Sequence, residues 1–166
     1  MTIKVKTQLG LIAVLVIIAL SLILAQSASP DSSLLFGLKR VQEKVYLRLK
    51  NAPSDKLDYM SLLLDRRLTE LDSQVRRQSY GYILPSALRY STLAGQIAEM
   101  IMANNMTDKV ASTTNQFKEH QKVLYDVYVI YPKNTDNVEY KYIEDDINYL
   151  KIYLDKLSNF FKAGKA

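Results

Sequence analysis

Apolar side chains recur every three to four residues along most of this chain, the spacing that is typical of one face of an α-helix. The first helix is predicted to begin at Ser32 or Ser33 and to end before Pro53. Ser54 is the expected N-cap of the second helix. The apolar stripe of the first helix is Leu34, Leu38, Val41, Val45 and Leu49. The stripe of the second is Leu57, Met60, Leu64, Leu68, Leu71 and Val75.

Three further stripes follow. Pro85 fits the first turn of a third helix, Asn104 and Asn105 stop it, and Thr107 caps a fourth helix that ends at Pro132. The inward residues of the third are Leu88, Ala94, Ile97 and Ile101, and those of the fourth are Val110, Phe117, Leu124 and Tyr131. The fifth stripe is Ile143, Ile147, Leu150, Leu154, Leu157 and Phe161. Together these patterns predict an all-α fold, an up-and-down bundle of four to five helices over residues 34–163.

Residues 9–25 form a run with no charge and no proline, and they follow Lys4 and Lys6. As a helix this run covers about 26 Å, which is within the range of membrane-spanning helices. One interpretation is a signal anchor that leaves residues 1–8 in the cytoplasm and the rest outside. The other is a signal peptide cut after Ser27, which would make the protein secreted. In both, residues 26–33 are a polar linker and the domain works outside the cytoplasm.

The composition of the chain excludes several kinds of site and partner. The chain has no cysteine, so disulfides, thiol nucleophiles and cysteine-bound zinc are excluded. Its net charge is +5, from 22 basic and 17 acidic residues, and it falls to +3 without Lys4 and Lys6. This mild excess does not predict a nucleic-acid partner.

The single histidine, His120, lies three residues after Phe117 and four before Leu124, so it points near the apolar face of its helix. Three interpretations are open for it: a hydrogen-bonded histidine at the edge of the core, a pH-dependent switch, and a metal ligand or general base. Di-iron bundles need Glu-x-x-His on facing helices, and this chain has no such motif.

Three consecutive carboxylates occur at residues 144–146, where a solvated helix face is the main expectation and a divalent-cation site the alternative. No hydrolase serine motif, phosphate loop or calcium-loop pattern is present. We therefore expect no enzyme, no catalytic residues, no cofactor and no metal.

Twelve tyrosines are the most unusual part of the composition. Tyr142, Tyr149 and Tyr153 lie off the apolar stripe of the fifth helix, and tyrosine is enriched at interfaces. They predict an interaction face; the alternative is that a broad core buries them.

Residues 30–44 read PDSSLLFGLKRVQEK and residues 64–71 read LDRRLTEL. The pair resembles the bacterial extracytoplasmic family called domain of unknown function 5667, over roughly residues 30–101. Phe36 stands where that family often has tyrosine. The resemblance implies a helical domain outside the membrane behind a single span, and it provides no catalytic residues. In the predicted hairpin, Glu43 is expected to form a structural ion pair with Arg66 or Arg67.

The sequence thus predicts a helical-bundle module of the bacterial cell envelope that binds another envelope protein. Self-association into a homo-oligomer is possible on this pattern, with the fifth helix as the seam. The alternatives are a wall-polymer or glycan-binding domain and a cation-dependent hydrolase. The hydrolase alternative would need a cleft that joins His120 to carboxylates such as Glu99 or Glu144.

Overall fold

The computed structural model describes residues 20–21, 33–133 and 138–164, and within them the regular secondary structure is helical. Nearly all of the predicted span, residues 9–25, lies outside the described residues. No helix in the described ranges has the length and hydropathy that a membrane crossing requires. The α-helices are α1 (Ser33–Leu49), α2 (Pro53–Arg76), α3 (Ile83–Ala103), α4 (Thr107–Ile130) and α5 (Tyr140–Ala163), and a 3₁₀ turn (Tyr80–Tyr82) precedes α3.

The helix ends follow backbone preferences more than side-chain caps. Ser54 is not the N-cap of α2: the helix begins at Pro53, after the extended residue Ala52, because proline is preorganised for the first helical position. Thr107 is likewise the first residue of α4 rather than its cap. The predicted stop after α3 is confirmed, since Asn105 adopts a positive φ of 53° and closes the helix.

The chain divides into two compact units, residues 1–49 with α1 and residues 50–166 with α2 to α5. In the second unit the main interfaces are α2–α3, α3–α5, α5–α4 and α4–α2. The helices therefore follow one another around the bundle in the order α2, α3, α5, α4. Consecutive helices run in opposite directions, but α3 and α4 lie across the interior from each other.

Side-chain contacts show these directions. On α2 and α4, Asp58 pairs with Lys109 and Asp65 with His120, so the two helices are parallel. Between α4 and α5, Gln121 Nε2 donates to the carbonyl of Ile147 at 3.2 Å, which places these two helices side by side.

The predicted stripes are confirmed for α2 and α4, whose apolar members are all buried. Leu88 of α3 is a correction, because it is 56% exposed and Ala87, Tyr90 and Ala94 form the inner face instead. In α1, Val41, Val45 and Leu49 are exposed whereas Phe36, Lys39 and Glu43 are buried. The pattern of apolar residues does not predict this buried face, because two of its three members are charged.

Candidate functional site

The three tyrosines of the predicted interaction face lie on one side of α5. At about 100° per residue, Tyr142, Tyr149 and Tyr153 fall within an arc of about 40°. Tyr149 is 45% exposed, and the other two are half-buried. The rings of Tyr149 and Tyr153 stack, with centroids 6.3 Å apart and an interplanar angle of 16°. We call these three residues the tyrosine strip.

The tyrosine strip borders α3. Tyr153 lies so close to Gly95 that a Cβ atom on the glycine would be 2.8 Å from the tyrosine hydroxyl and 3.0 Å from Cζ. The exposed Leu88 precedes Gly95 by seven residues and therefore lies on the same side of α3. The strip and this apolar edge of α3 form one surface at the α3–α5 junction.

Gly95→Ala is expected to displace the Tyr153 ring while changing the free energy of unfolding by less than about 1 kcal/mol. Alanine gains about 1 kcal/mol over glycine inside a helix, and this offsets the contacts that the displaced ring loses. Tyrosine ring NMR signals and urea unfolding measure the two effects. Gly37→Ala is the control, because a Cβ there meets nothing within 4 Å. Unchanged Tyr149 and Tyr153 signals in Gly95→Ala would contradict the packing described.

The carboxylate run at residues 144–146 is solvated only in part. Glu144 and Asp145 are exposed as expected, whereas Asp146 is buried beneath the strip. It is 2% exposed, because it follows Ile143 by three residues and precedes Leu150 by four, which places it on the buried stripe. Burial raises the pKa of Asp146 from 3.8 to about 8, and the charge of Asp145 adds to the rise. Asp146 is therefore mostly protonated at pH 7.

One hydrogen bond opposes the effect of burial on Asp146. The bond with Ser91 on α3 lowers the pKa of the Asp146 carboxyl, but the effect of burial is larger. The Ser91 hydroxyl also lies 3.0 Å from the carbonyl of Ala87, to which it can donate instead. The carboxyl oxygen Oδ2 of Asp146 is buried and has no hydrogen-bond partner among the described residues.

A second polar group crosses the bundle interior. His120 Nε2 is 2.9 Å from Asp65 Oδ1 on α2, and its Nδ1 is 3.0 Å from the Tyr90 hydroxyl on α3. Gln116 Nε2 also donates to Asp65 Oδ1, at 2.6 Å. We call Asp65, His120 and Tyr90 the polar relay. The expectation of a histidine satisfied at the core edge is confirmed, because His120 is 6% exposed and has a partner at each ring nitrogen.

The geometry of the polar relay defines its protonation. An ionised Asp65 only accepts hydrogen bonds, so His120 carries its proton on Nε2 and accepts at Nδ1 from the Tyr90 hydroxyl. Burial lowers the pKa of His120, and Asp65 opposes this effect. Burial also raises the pKa of Tyr90 well above its ordinary value. The Tyr90 side chain is fully buried, whereas the Asp65 side chain at the other end of the relay is exposed. The relay therefore joins α2, α4 and α3 by hydrogen bonds that run from the surface into the interior.

The carboxylates expected near His120 in the hydrolase alternative lie elsewhere. Glu99 and Glu144 are exposed, and the carboxylate bonded to His120 is Asp65. No group of three or more His, Asp or Glu side chains arranged to hold a metal ion occurs in the described ranges.

Several other tyrosines close one end of the bundle. The Tyr131 ring is 2% exposed and lies 4.9 Å from Tyr80 and 6.2 Å from Tyr140. Lys133 Nζ lies 3.4 Å from the ring centroid of Tyr128. Tyr131 is therefore part of the core, whereas Tyr80, Tyr128 and Tyr140 are half-buried around it.

An open groove of about 590 Å³ separates α4 from α5, away from the tyrosine strip. Tyr125, 59% exposed, lines it together with Lys118, Lys122 and Ile147. Lys122 is paired with Glu119 at 2.7 Å. Tyr125 therefore provides an exposed tyrosine outside the strip.

Arg67, one of the two arginines expected to pair with Glu43, has a partner on its own helix. Arg67 Nη1 bonds Glu70 Oε2 at 2.8 Å within α2, as the spacing of three residues permits. Arg66 is half-buried on the same helix. Glu43 belongs to the other compact unit, so its pairing with Arg66 or Arg67 stays a prediction.

Comparison of the chain with known protein families, curated proteins and solved structures found no match. The resemblance over residues 30–101 therefore stays a prediction.

Proposed function

We propose that this protein is a helical-bundle module of the bacterial cell envelope that binds another envelope protein through the tyrosine strip. The apolar run at residues 9–25, after Lys4 and Lys6, supports export or anchoring of the domain. The observation that carries the binding role is the stacked Tyr149–Tyr153 pair on the exposed side of α5. Rigid aromatic rings at a surface are typical anchors of protein interfaces.

The apolar edge of α3 supports the same assignment. Leu88 is 56% exposed on the side of α3 that carries Gly95, next to the strip. An exposed leucine beside aromatic rings with polar tips matches the composition of an interface core with a polar rim. Placement outside the cytoplasm, in the manner of the family that residues 30–44 resemble, is part of this proposal.

Replacement of all three strip tyrosines by alanine is expected to abolish capture of the partner from an envelope extract. The full chain, kept in solution by a mild non-ionic detergent, is the bait, and crosslinking followed by mass spectrometry identifies what it retains. Loss of one aromatic anchor typically costs about 2 kcal/mol of binding free energy, or roughly thirtyfold in affinity. Tyr149→Ala alone should therefore weaken capture strongly.

Tyr125→Ala is the matched control, because it removes an exposed tyrosine from the groove on the other side of α5. Circular dichroism checks that each variant keeps its helices. Capture that is equal for the wild type, the triple variant and Tyr125→Ala would remove the tyrosine strip from the proposal. If the protein retained purified wall polymer and no protein, the partner would be a wall polymer and not an envelope protein.

A further inference from the structure

Acidic groups surround the tyrosine strip. Asp146 lies beneath it on α5, Asp145 is exposed beside it, and Glu99 lies on the adjoining α3. Burial raises the pKa of the Tyr153 hydroxyl, and the charges of Tyr149, Glu99 and Asp146 add to the rise, which places these acids close to the ring. A cation that reached the strip would meet both aromatic faces and carboxylates.

One acidic atom has a free hydrogen-bonding capacity. Asp146 Oδ2 is buried and has no partner in the described part of the chain, although a buried polar atom is normally satisfied. The residue is 2% exposed, and Tyr153 is its half-buried neighbour on the strip. A ligand would reach this oxygen only when side chains near it, such as Tyr153, moved aside.

The ring of Tyr153 already receives a cation from its own helix. Lys156 Nζ lies 6.0 Å from the centroid of that ring, which is at the limit of a cation–π contact. The strip is thus compatible with positive charge, and the buried carboxyl of Asp146 can supply a counter-charge when it loses its proton.

We propose that the tyrosine strip recognises a basic side chain of its partner, whose cationic N–H group pairs with Asp146 Oδ2. This inference rests on the proposed function and specifies the chemistry of the partner: a segment that presents an arginine or a lysine. The cation packs against the rings of Tyr149 and Tyr153 and satisfies the orphan oxygen. Binding converts the neutral carboxyl of Asp146 into a paired carboxylate, and the released proton goes to solvent.

The probe is n-butylguanidinium, and its neutral isostere n-butylurea is the comparison. The full chain in detergent, with ¹³C-labelled tyrosine rings, is titrated with each compound at pH 8. We expect n-butylguanidinium to shift the Tyr149 and Tyr153 signals saturably and n-butylurea to bind at least tenfold more weakly. Equal binding of the two compounds would overturn the proposal, because it would show apolar contact alone.

Asp146→Asn is expected to weaken n-butylguanidinium binding at least tenfold. The matched control is Asp145→Asn, which removes the neighbouring exposed carboxylate and should change affinity less than threefold. Asp146→Asn retains the shape and buries no charge, so its circular dichroism and urea midpoint verify that it is folded. Unchanged affinity in folded Asp146→Asn would reject the pairing.

Affinity for n-butylguanidinium should rise about tenfold from pH 7 to pH 9, because a carboxyl with a pKa of about 8 goes from about 9% to about 91% ionised. The probe keeps its charge throughout. Burial holds the pKa of His120 on α4 below its ordinary value and those of Tyr90 and Tyr153 above theirs. A flat profile would contradict the role of Asp146. The titratable groups that interact with Asp146 are Tyr90 on α3 and Asp145 and Tyr153 on α5. On α4, His120 is hydrogen-bonded to Tyr90.

The two proposals fail separately. If strip alanines abolish partner capture and Asp146→Asn does not, the strip binds its partner without the cation and this inference is wrong. If Asp146→Asn abolishes n-butylguanidinium binding while strip alanines leave partner capture unchanged, the cation site exists and the proposed function is wrong.

Discussion

Asp146→Asn should stabilise the protein by about 3 kcal/mol at pH 7. The pKa of Asp146 rises from 3.8 to about 8 on folding, so at pH 7 the folded state must keep a proton that the unfolded state has released. Three pH units above the unfolded pKa correspond to about 4 kcal/mol. Asparagine removes this cost. Its own amide N–H is left unpaired, however, which costs about 1 kcal/mol and reduces the net gain to about 3 kcal/mol.

The sign follows from proton binding. Between about pH 4 and pH 8 the folded state holds more protons at this site than the unfolded state, so the contribution of Asp146 to stability falls as pH rises and is lost above pH 8. Urea unfolding at pH 5, 7 and 9, followed by circular dichroism, measures the free energy of unfolding. The gain from Asp146→Asn should be small at pH 5 and largest at pH 9.

The contribution of His120 to stability depends on pH with the opposite sign. Burial lowers its pKa, so the stability that it contributes is present above about pH 6.5 and is lost as pH falls toward the lowered value. The interval from pH 7 to pH 9 therefore isolates Asp146. Asp145→Asn is the control, since its carboxylate is exposed. Parallel pH profiles for Asp146→Asn and the wild type would show that Asp146 is ionised in the folded state.

The helices could be predicted because their stripes are long and regular. All six apolar residues predicted on α2 are buried, since an amphipathic helix has one way to remove such a stripe from water. For Asp146 the sequence pattern favours a solvated face, because hydropathy scales rank a carboxylate among the most exposed side chains. Asp146 follows Ile143 by three residues and precedes Leu150 by four, which places it on the buried stripe. Helical spacing is therefore the signal in the sequence that indicates its burial.

The partners of His120 could not be predicted in the same way. Its place near the apolar face follows from Phe117 and Leu124, but its bonds to Asp65 and Tyr90 depend on the order of helices around the bundle. With α5 between α3 and α4 on the ring, α3 reaches α4 only through the interior, which brings Tyr90 to His120. Short connections fix the direction of a helix and leave this order open.

Tyr90→Phe is expected to destabilise the protein by about 2 kcal/mol. The substitution removes one hydroxyl from a fully buried ring and leaves His120 Nδ1 without its donor at 3.0 Å. A buried polar atom that loses its partner costs about 1–3 kcal/mol, whereas the ring itself keeps its packing. Urea unfolding at pH 8, where His120 is neutral, measures this loss.

The double variant Tyr90→Phe/His120→Leu tests whether the loss comes from the hydrogen bond. Leucine at position 120 leaves no orphan nitrogen, so Tyr90→Phe should cost about 1–2 kcal/mol less in that background. Tyr125→Phe removes the hydroxyl of an exposed tyrosine and should change stability by less than about 0.5 kcal/mol. The orphan Nδ1 of Tyr90→Phe should also protonate more readily, so that the pKa of His120, followed by NMR, rises. If Tyr90→Phe costs no more than Tyr125→Phe and the pKa stays in place, the polar relay does not hold α3 to α4.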